Sequence, residues 1–464
     1  MSGATPSNRL GRTFSSLAIY NYRVFWIGQL ISISGTWMQT TAQAWLVLKL
    51  TDSSVALGTV TMLQFLPITL LTLFGGVLAD RLPKRAVVFC TQSVAAAQAL
   101  VLAILVLTNT VQLWQVYALA LLLGVVNAFD NPTRQAFVGE LVGKDHLQNA
   151  VALNSSLFNA ARVIGPAVGG VVISTIGIGQ AFLFNGLSFI PVLVGLTLMR
   201  PKDFFATGHP PRGNVFRQVA EGVRYAVGAP DILLVLLTMA VVGTFGYNYT
   251  TILPLLAKYV LHAGAVGLGV LTSAVGVGSL AAALAVASAR RASEAVLLSA
   301  AMIFSIMLVL VGLSSWLPLT LVLLGLMGGM GIVFTTGANT RLQLTAPGEL
   351  RGRVLSLYFL LFAGTTPLGG LLVGVLAARL GVQPTVVLMG ALCIAGVAAA
   401  TVFARLRSQG SRERQPSPPP HADPSLGSAE PTAQPALPRS VEGRRTAPLS
   451  PLHGRAAGGG KHAR

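Results

Sequence analysis

Six polar side chains recur along one stretch of this chain: Gln29, Ser32, Thr36, Gln39, Thr40 and Gln43. Their spacing of i, i+3, i+7, i+10, i+11 and i+14 puts them on one face of a helix. Amides and hydroxyls on such a face recognise a ligand through hydrogen bonds, and none of them is a strong base or an activated nucleophile. Two further groups repeat the theme: Thr244, Tyr247, Asn248 and Thr251 just before Pro254, and Thr335, Thr336 and Asn339. Charges inside the surrounding apolar sequence are few, namely Asp130, Arg134 at i+4 from it, and Arg162. An isolated charge there is expensive, so Asp130 has two candidate partners, Arg162 on the next, antiparallel helix and Arg134 at i+4. That grouping reads either as a structural ion pair or as a site where Asp130 exchanges its proton or its partner. The chain has no Gly-x-x-x-x-Gly-Lys-Ser/Thr loop, no HExxH and no Cys/His cluster, and its six His lie outside the apolar runs. Nothing in the sequence calls for catalysis, a metal or a cofactor.

The elements that carry these residues are apolar throughout. Of 464 residues 53% are hydrophobic and 10% charged, against about a quarter charged in soluble domains. Crossing a ~30 Å hydrocarbon core takes roughly 20 apolar residues. Twelve such runs begin near Phe25, Ser54, Ala86, Gln112, Ala150, Gly179, Asp231, Gly264, Ala295, Leu317, Arg353 and Gln383. The expected fold is therefore an all-α membrane protein of twelve transmembrane helices. The first 22 residues are polar and no signal peptide is expected; Cys90 and Cys393 fall inside predicted helices, so no disulfide framework is implied.

The net charge of +18 is distributed by topology and not gathered into a basic soluble domain, which argues against nucleic acid. One set of alternate loops carries 18 Lys and Arg, from Arg9 to Arg353, and the other set only Lys49, Lys258 and Arg379. The positive-inside rule then puts both termini in the cytoplasm of a bacterial-type inner membrane.

Four segments follow: a six-helix bundle over 1–199, a cytoplasmic linker over 200–230, a second six-helix bundle over 231–406, and a tail over 407–464. In the linker, "NVFRQVAEGVRYAV" spaces Val215, Val219, Val223 and Val227 by four, an amphipathic helix suited to a membrane surface. The tail has ten Pro and almost no large apolar side chains, so it is expected to be disordered. The two bundles echo each other, with "DNPTRQAFVGELVG" and "GPAVGG" in one matched by "ANTRLQLTAPGEL" and "TPLGG" in the other. Repeats of this kind suggest a transporter whose binding site lies between halves near the bilayer midplane.

One short loop interrupts the apolar sequence with opposite charges: "GGVLADRLPKR", residues 75–85. Asp80 at the end of the second predicted span opposes that helix's own dipole, and it calls for a compensating partner such as the N-terminus of a facing helix. Gly75 and Gly76 would let that helix approach.

Gly76, Asp80, Arg81, Lys84 and Arg85 resemble the signature of the major facilitator superfamily between its second and third helices, with Pro83 where a second Gly is usual. The resemblance covers about residues 15–405. It implies a latch in which Asp80 faces the start of the eleventh helix, near Arg351 to Leu355. The second half has "ASARR" at the equivalent turn, with no Asp. Gly165, Pro166, Gly169 and Gly170 in "RVIGPAVGG" resemble the antiporter motif of the superfamily's exporters, although the same glycines suit ordinary close helix packing. The run from Asp130 to Gly170 is similar to the branch that includes enterobactin exporters and macrolide-efflux proteins. In the resembled fold the first, fourth, seventh and tenth helices line the cavity. That makes Gln29, Ser32, Thr36, Gln39, Thr40, Gln43, Thr244, Tyr247, Asn248, Thr251, Thr336 and Asn339 the expected lining, with Trp37, Trp45, Phe245 and Tyr249 as apolar surface.

The resemblance implies a monomeric, proton-coupled secondary exporter of a small amphipathic molecule, in contact with membrane lipid. A drug-efflux or lipid-related carrier of the same fold, and a receptor or assembly protein that no longer transports, are the alternatives.

Overall fold

The computed structural model describes residues 14–205, 215–288 and 293–413, and of these the side chains at 73, 76–80, 215–219, 287–288 and 407–413 lie outside the description. In the first half the helices are α1 (Tyr20–Thr51), α2 (Ser54–Arg81), α3 (Lys84–Leu107), α4 (Leu113–Thr175), α5 (Ile178–Ser188) and α6 (Ile190–Leu198). Then come α7 (Val215–Gly228), α8 (Pro230–Phe245), α9 (Tyr249–Leu255), α10 (Gly264–Ser288), α11 (Glu294–Leu313), α12 (Leu317–Thr345), α13 (Gly348–Gly364), α14 (Thr366–Leu380) and α15 (Val382–Glu413). Helix starts follow local chemistry. Ser293 caps α11 by accepting from the Val296 N–H at 3.2 Å. Proline opens α6, α8, α12 and α14, where its missing N–H costs nothing. The last helix runs to Glu413, past the expected start of the tail at residue 407.

Many helices are apolar on every face, and large side chains such as Ile104, Leu284 and Val322 are more than half exposed. A soluble protein would hide such a surface, and lipid covers it at no cost.

Ten helices among the described residues are long and apolar enough to cross a membrane, against the twelve runs expected from sequence. Two features explain the difference. The 63 residues of α4 are two helices joined across a kink, too many together for one crossing. It turns at Gly143, where φ is 69° and the Phe205 ring lies where a side chain would be; only glycine takes that conformation without strain. The other feature is α1, which is 32 residues long but carries the polar stripe.

Contacts between α1–α6 and α8–α15 run from the Ser54–Gly374 end past mid-helix, where Thr69 Oγ1 donates to the Ala363 carbonyl at 3.4 Å. Ser54 Oγ donates to the Gly374 carbonyl at 2.8 Å, Thr251 Oγ1 to Thr61 Oγ1 at 3.1 Å, and Ser273 Oγ to the Val163 carbonyl at 2.7 Å. Glycines let these backbones touch. A Cβ at Gly58 would stand 2.8 Å from the Gly370 carbonyl, and one at Gly374 would stand 2.5 Å from that of Ser54. Past the end of α1, Lys258 Nζ lies 2.5 Å from Asp52 Oδ1 and donates to the Leu48 carbonyl at 2.6 Å. Tyr259 also donates to Asp52, at 2.7 Å. At the other end α7 bridges to α13 by the Arg353–Glu221 pair at 2.5 Å. The larger hydrophobic core runs across both halves, and a smaller one around Tyr22, Phe25 and Phe137 lies within the first.

Candidate functional site

Near the middle of α1, α2, α10 and α12 the two halves stand apart and enclose a cavity of about 310 Å³. The break between α8 and α9 forms part of its wall. The helix unwinds at Tyr247 and Asn248, leaving backbone groups that need new partners. Asn248 Nδ2 donates to the Thr244 carbonyl at 2.8 Å, and Tyr247 Oη donates to the Gly331 carbonyl on α12 at 2.9 Å. Pro254 has no N–H, so the Thr250 carbonyl, also at the cavity, lacks its usual helical donor. The Tyr247 ring packs against Phe304 (5.1 Å between centroids), Phe362 (5.5 Å) and Tyr249 (5.9 Å).

Among the described residues Arg162 is the only charged side chain in the cavity wall. Its guanidinium lies 5.7 Å from the Trp37 ring centre and 5.8 Å from that of Tyr249, within the range where an aromatic face attracts a cation. Of the two candidate partners of Asp130, Arg162 is not the one it takes. Asp130 is 2% exposed and accepts from Thr91 Oγ1 at 2.7 Å and Gln92 Nε2 at 3.0 Å. Arg134, one turn along the same helix, approaches it at 3.6 Å and also donates to Gln29 and Asn131. One helical turn is a shorter reach than the next helix, so the competing partner holds the carboxylate.

The polar stripe of α1 divides, and most of it does not line the cavity. Gln39 donates to Gln98 Oε1 at 2.9 Å and accepts from Asn185 Nδ2 at 2.6 Å; Gln43 donates to Gln64 Oε1 at 3.0 Å; Ser32 reaches Gln92 at 3.4 Å. These side chains and Gln29 are buried and tie α1 to α2, α3, α4 and α5. Thr36 bonds back to the Ser32 carbonyl. Of the expected lining residues only Thr40 and Tyr247 reach the cavity, joined by Trp37, Tyr249 and Thr335 but not by Trp45 or Phe245. Thr244 bonds within its own helix, Asn248 and Thr251 are fully buried, Thr336 is exposed and outside the cavity wall, and Asn339 accepts from Gln343. A stripe defined by spacing alone cannot tell a cavity from a neighbouring amide. The isolated Gln64, Gln92, Gln98 and Asn185 in otherwise apolar runs were the missed signal, since each is a ready partner for one stripe member.

The "GPAVGG" segment lies where α1, α4 and α10 cross. A Cβ at Gly165 would come within 2.5 Å of the Ser34 carbonyl and of Trp37 Cβ, and Gly169 faces Met38. Gly170 turns to the other half, where an added Cβ would be 2.8 Å from the Ala265 carbonyl, while Gly269 of α10 packs on the Pro166 carbonyl.

In the short charged loop, Lys84 pairs with Glu140 at 2.6 Å, and Arg85 donates to the Leu196 and Thr197 carbonyls at 2.7 and 3.2 Å. Arg85 thereby caps the end of α6, where unpaired carbonyls favour a cation. Arg81 is exposed. Gly75 packs on Ala128 of α4 and not, as expected, on the eleventh predicted span. The side chain of Asp80 and the surroundings of Gly76 lie outside the described residues, as do Arg290 and Arg291. At the Ser54–Gly374 end Asp52 is held below the ordinary carboxylate range, chiefly by its bond to Lys258, then by Tyr259.

A family model described as transmembrane secretion effector matches residues 11–431. The chain is 26% identical to the staphyloferrin A transporter of Staphylococcus aureus over 239 residues, which is 51% of this chain and 59% of that protein. It is 28% identical to the multidrug efflux pump Tap of Mycolicibacterium fortuitum over 366 residues, 76% of this chain and 88% of that one. Among solved structures, a bacterial homologue of the human lysosomal transporter Spinster, captured inward-facing and unoccupied, superposes with a TM-score of 0.61. That match has 14% identity and covers 90% of this chain and all of the other, a likeness of fold.

Proposed function

Because this chain belongs to the transmembrane secretion effectors of the major facilitator superfamily, we propose that it exports a small amphipathic organic molecule, siderophore-like or drug, across the cytoplasmic membrane by alternating access. The observation that carries this reading is a cavity at mid-depth between two helical halves, with the halves in contact at the Ser54–Gly374 end. Counting α1 and each arm of α4 as separate crossings brings the ten apolar helices to twelve, six in 1–199 and six in 231–406. The charge asymmetry of the loops then assigns the contacting end to the outside.

In this reading Gly165, Pro166, Gly169 and Gly170 form the seam on which the halves rock, and the loop around Asp80 is a latch. Asp130 is the only buried carboxylate among the described residues, which makes it the proton site, with Arg134 as the partner it would release on protonation. The exporter works as a monomer, with both termini on the cytoplasmic side.

The test is uptake by inside-out vesicles. Accumulation of a siderophore or of a macrolide should need a proton gradient and stop when an uncoupler collapses it. Accumulation that ignores the gradient would remove proton coupling, and no accumulation of any amphipathic compound would remove export.

A further inference from the structure

We infer that the cavity takes a cargo bearing an oxyanion, a carboxylate or a close analogue, and that Arg162 receives it; the word cargo rests on the export reading, but the binding chemistry does not. A guanidinium stays charged at any physiological pH, and at mid-membrane depth it needs compensation. Arg134 has it, with Asp130, Gln29 and Asn131 around it. Arg162 has no ion pair and no hydrogen-bond acceptor among the described residues, and the cavity wall holds no Asp or Glu.

What Arg162 does have is two aromatic faces, Trp37 from one half and Tyr249 from the other. Cation–π contact steadies the cation while leaving its N–H donors unspent. A planar donor fork held in that way and aimed into a cavity is matched to a two-oxygen anion, which it binds with two parallel charge-assisted hydrogen bonds. Phe65, Phe158 and Phe362 supply the apolar surface for the rest of the molecule. A cationic compound would meet like charge here, with no carboxylate in the wall to offset it. Because Trp37 and Tyr249 come from opposite halves, an anion on Arg162 also sits at the seam that must open and close, where its presence can be sensed by both.

The test uses the full-length chain in phosphatidylcholine nanodiscs, which carry no net lipid charge, and three probes with one fluorophore: dansylglycine, dansylglycine amide and dansylcadaverine. Binding is read by energy transfer from tryptophan to the dansyl group. The acid should bind at least roughly tenfold tighter than the neutral amide, the size expected of a hydrogen-bonded charge, and the amine should bind weakest. Arg162→Gln should remove the preference, and Arg162→Lys should keep part of it, since an ammonium retains the charge without the fork. If Arg162→Gln does not elute as the wild type does, the wild-type ranking and Arg162→Lys decide. Equal binding of acid and amide, no binding of the acid, or an unchanged preference in Arg162→Gln overturns the inference. Intact preference without vesicle uptake of any compound would sink export and leave this inference standing. Export limited to neutral or cationic compounds, with flat binding, would do the reverse.

Discussion

On one face of α1 Gln39 gives and receives an amide hydrogen bond, to Gln98 and from Asn185; Thr40 next to it and Trp37 one turn before face a cavity whose single charge has only aromatic partners. The first region finds most of its partners within the protein, with Gln29 Nε2 and Gln98 Nε2 left over, so it holds helices together. The second keeps unspent donors around a space, so it is where an outside molecule can be recognised. Polarity in a membrane helix therefore divides by whether partners exist, and spacing alone does not reveal that division.

The largest effect should come from Gly165→Leu, which disturbs both regions at once. Even a Cβ there meets the Ser34 carbonyl and Trp37, and overpacking of this kind costs about 1–3 kcal/mol or more. Transport should fall to background, measured per folded molecule in vesicles. Normal transport would mean that α1 and α4 do not share this seam.

Asp130→Asn asks whether a satisfied cluster can also work. Gradient-driven uphill export should disappear while downhill exchange of cargo persists. Unchanged uphill transport would return the cluster to a purely structural role.

Gln39→Leu and Thr40→Val sharpen the contrast directly. The leucine leaves Gln98 Oε1 and the Asn185 amide without partners, a loss of about 1–3 kcal/mol, so thermal stability and abundance should drop while cargo affinity per folded molecule holds. Thr40→Val keeps shape and should change affinity severalfold with stability unmoved. The opposite pattern would exchange the two assignments.

The smallest effect belongs to Asp52, at the end of α1 outside both regions. Its carboxyl is held low by Lys258 and Tyr259, so the strap is fully present above the ordinary Asp range, roughly pH 4, and weakens as external pH falls through the lowered value. Asp52→Asn should slightly raise labelling from outside of a cysteine placed at Thr61, with little change near pH 7 in transport. A large transport defect would make the strap a principal gate.

Much of the fold was legible in the sequence because a bilayer imposes it. Backbone groups in hydrocarbon must be satisfied within helices, so apolar runs of sufficient length announce themselves, and Gly165, Gly169 and Gly170 announce close packing. The amphipathic stretch 214–227 likewise appears as a helix, Val215–Gly228. The sequence by itself determined an all-helical membrane chain, the helix-turn positions and the pool of polar residues. Only the tertiary structure decided which of those residues face one another. Asp130 took Arg134 over Arg162 because i+4 on one helix is nearer than the next helix. Most of the stripe was absorbed by Gln64, Gln92, Gln98 and Asn185 because buried amides pair wherever a partner is within reach. Arg162 was left to the cavity because the rings that hold it, Trp37 and Tyr249, lie 212 positions apart in the chain (249 − 37) and come together only when the two halves pack.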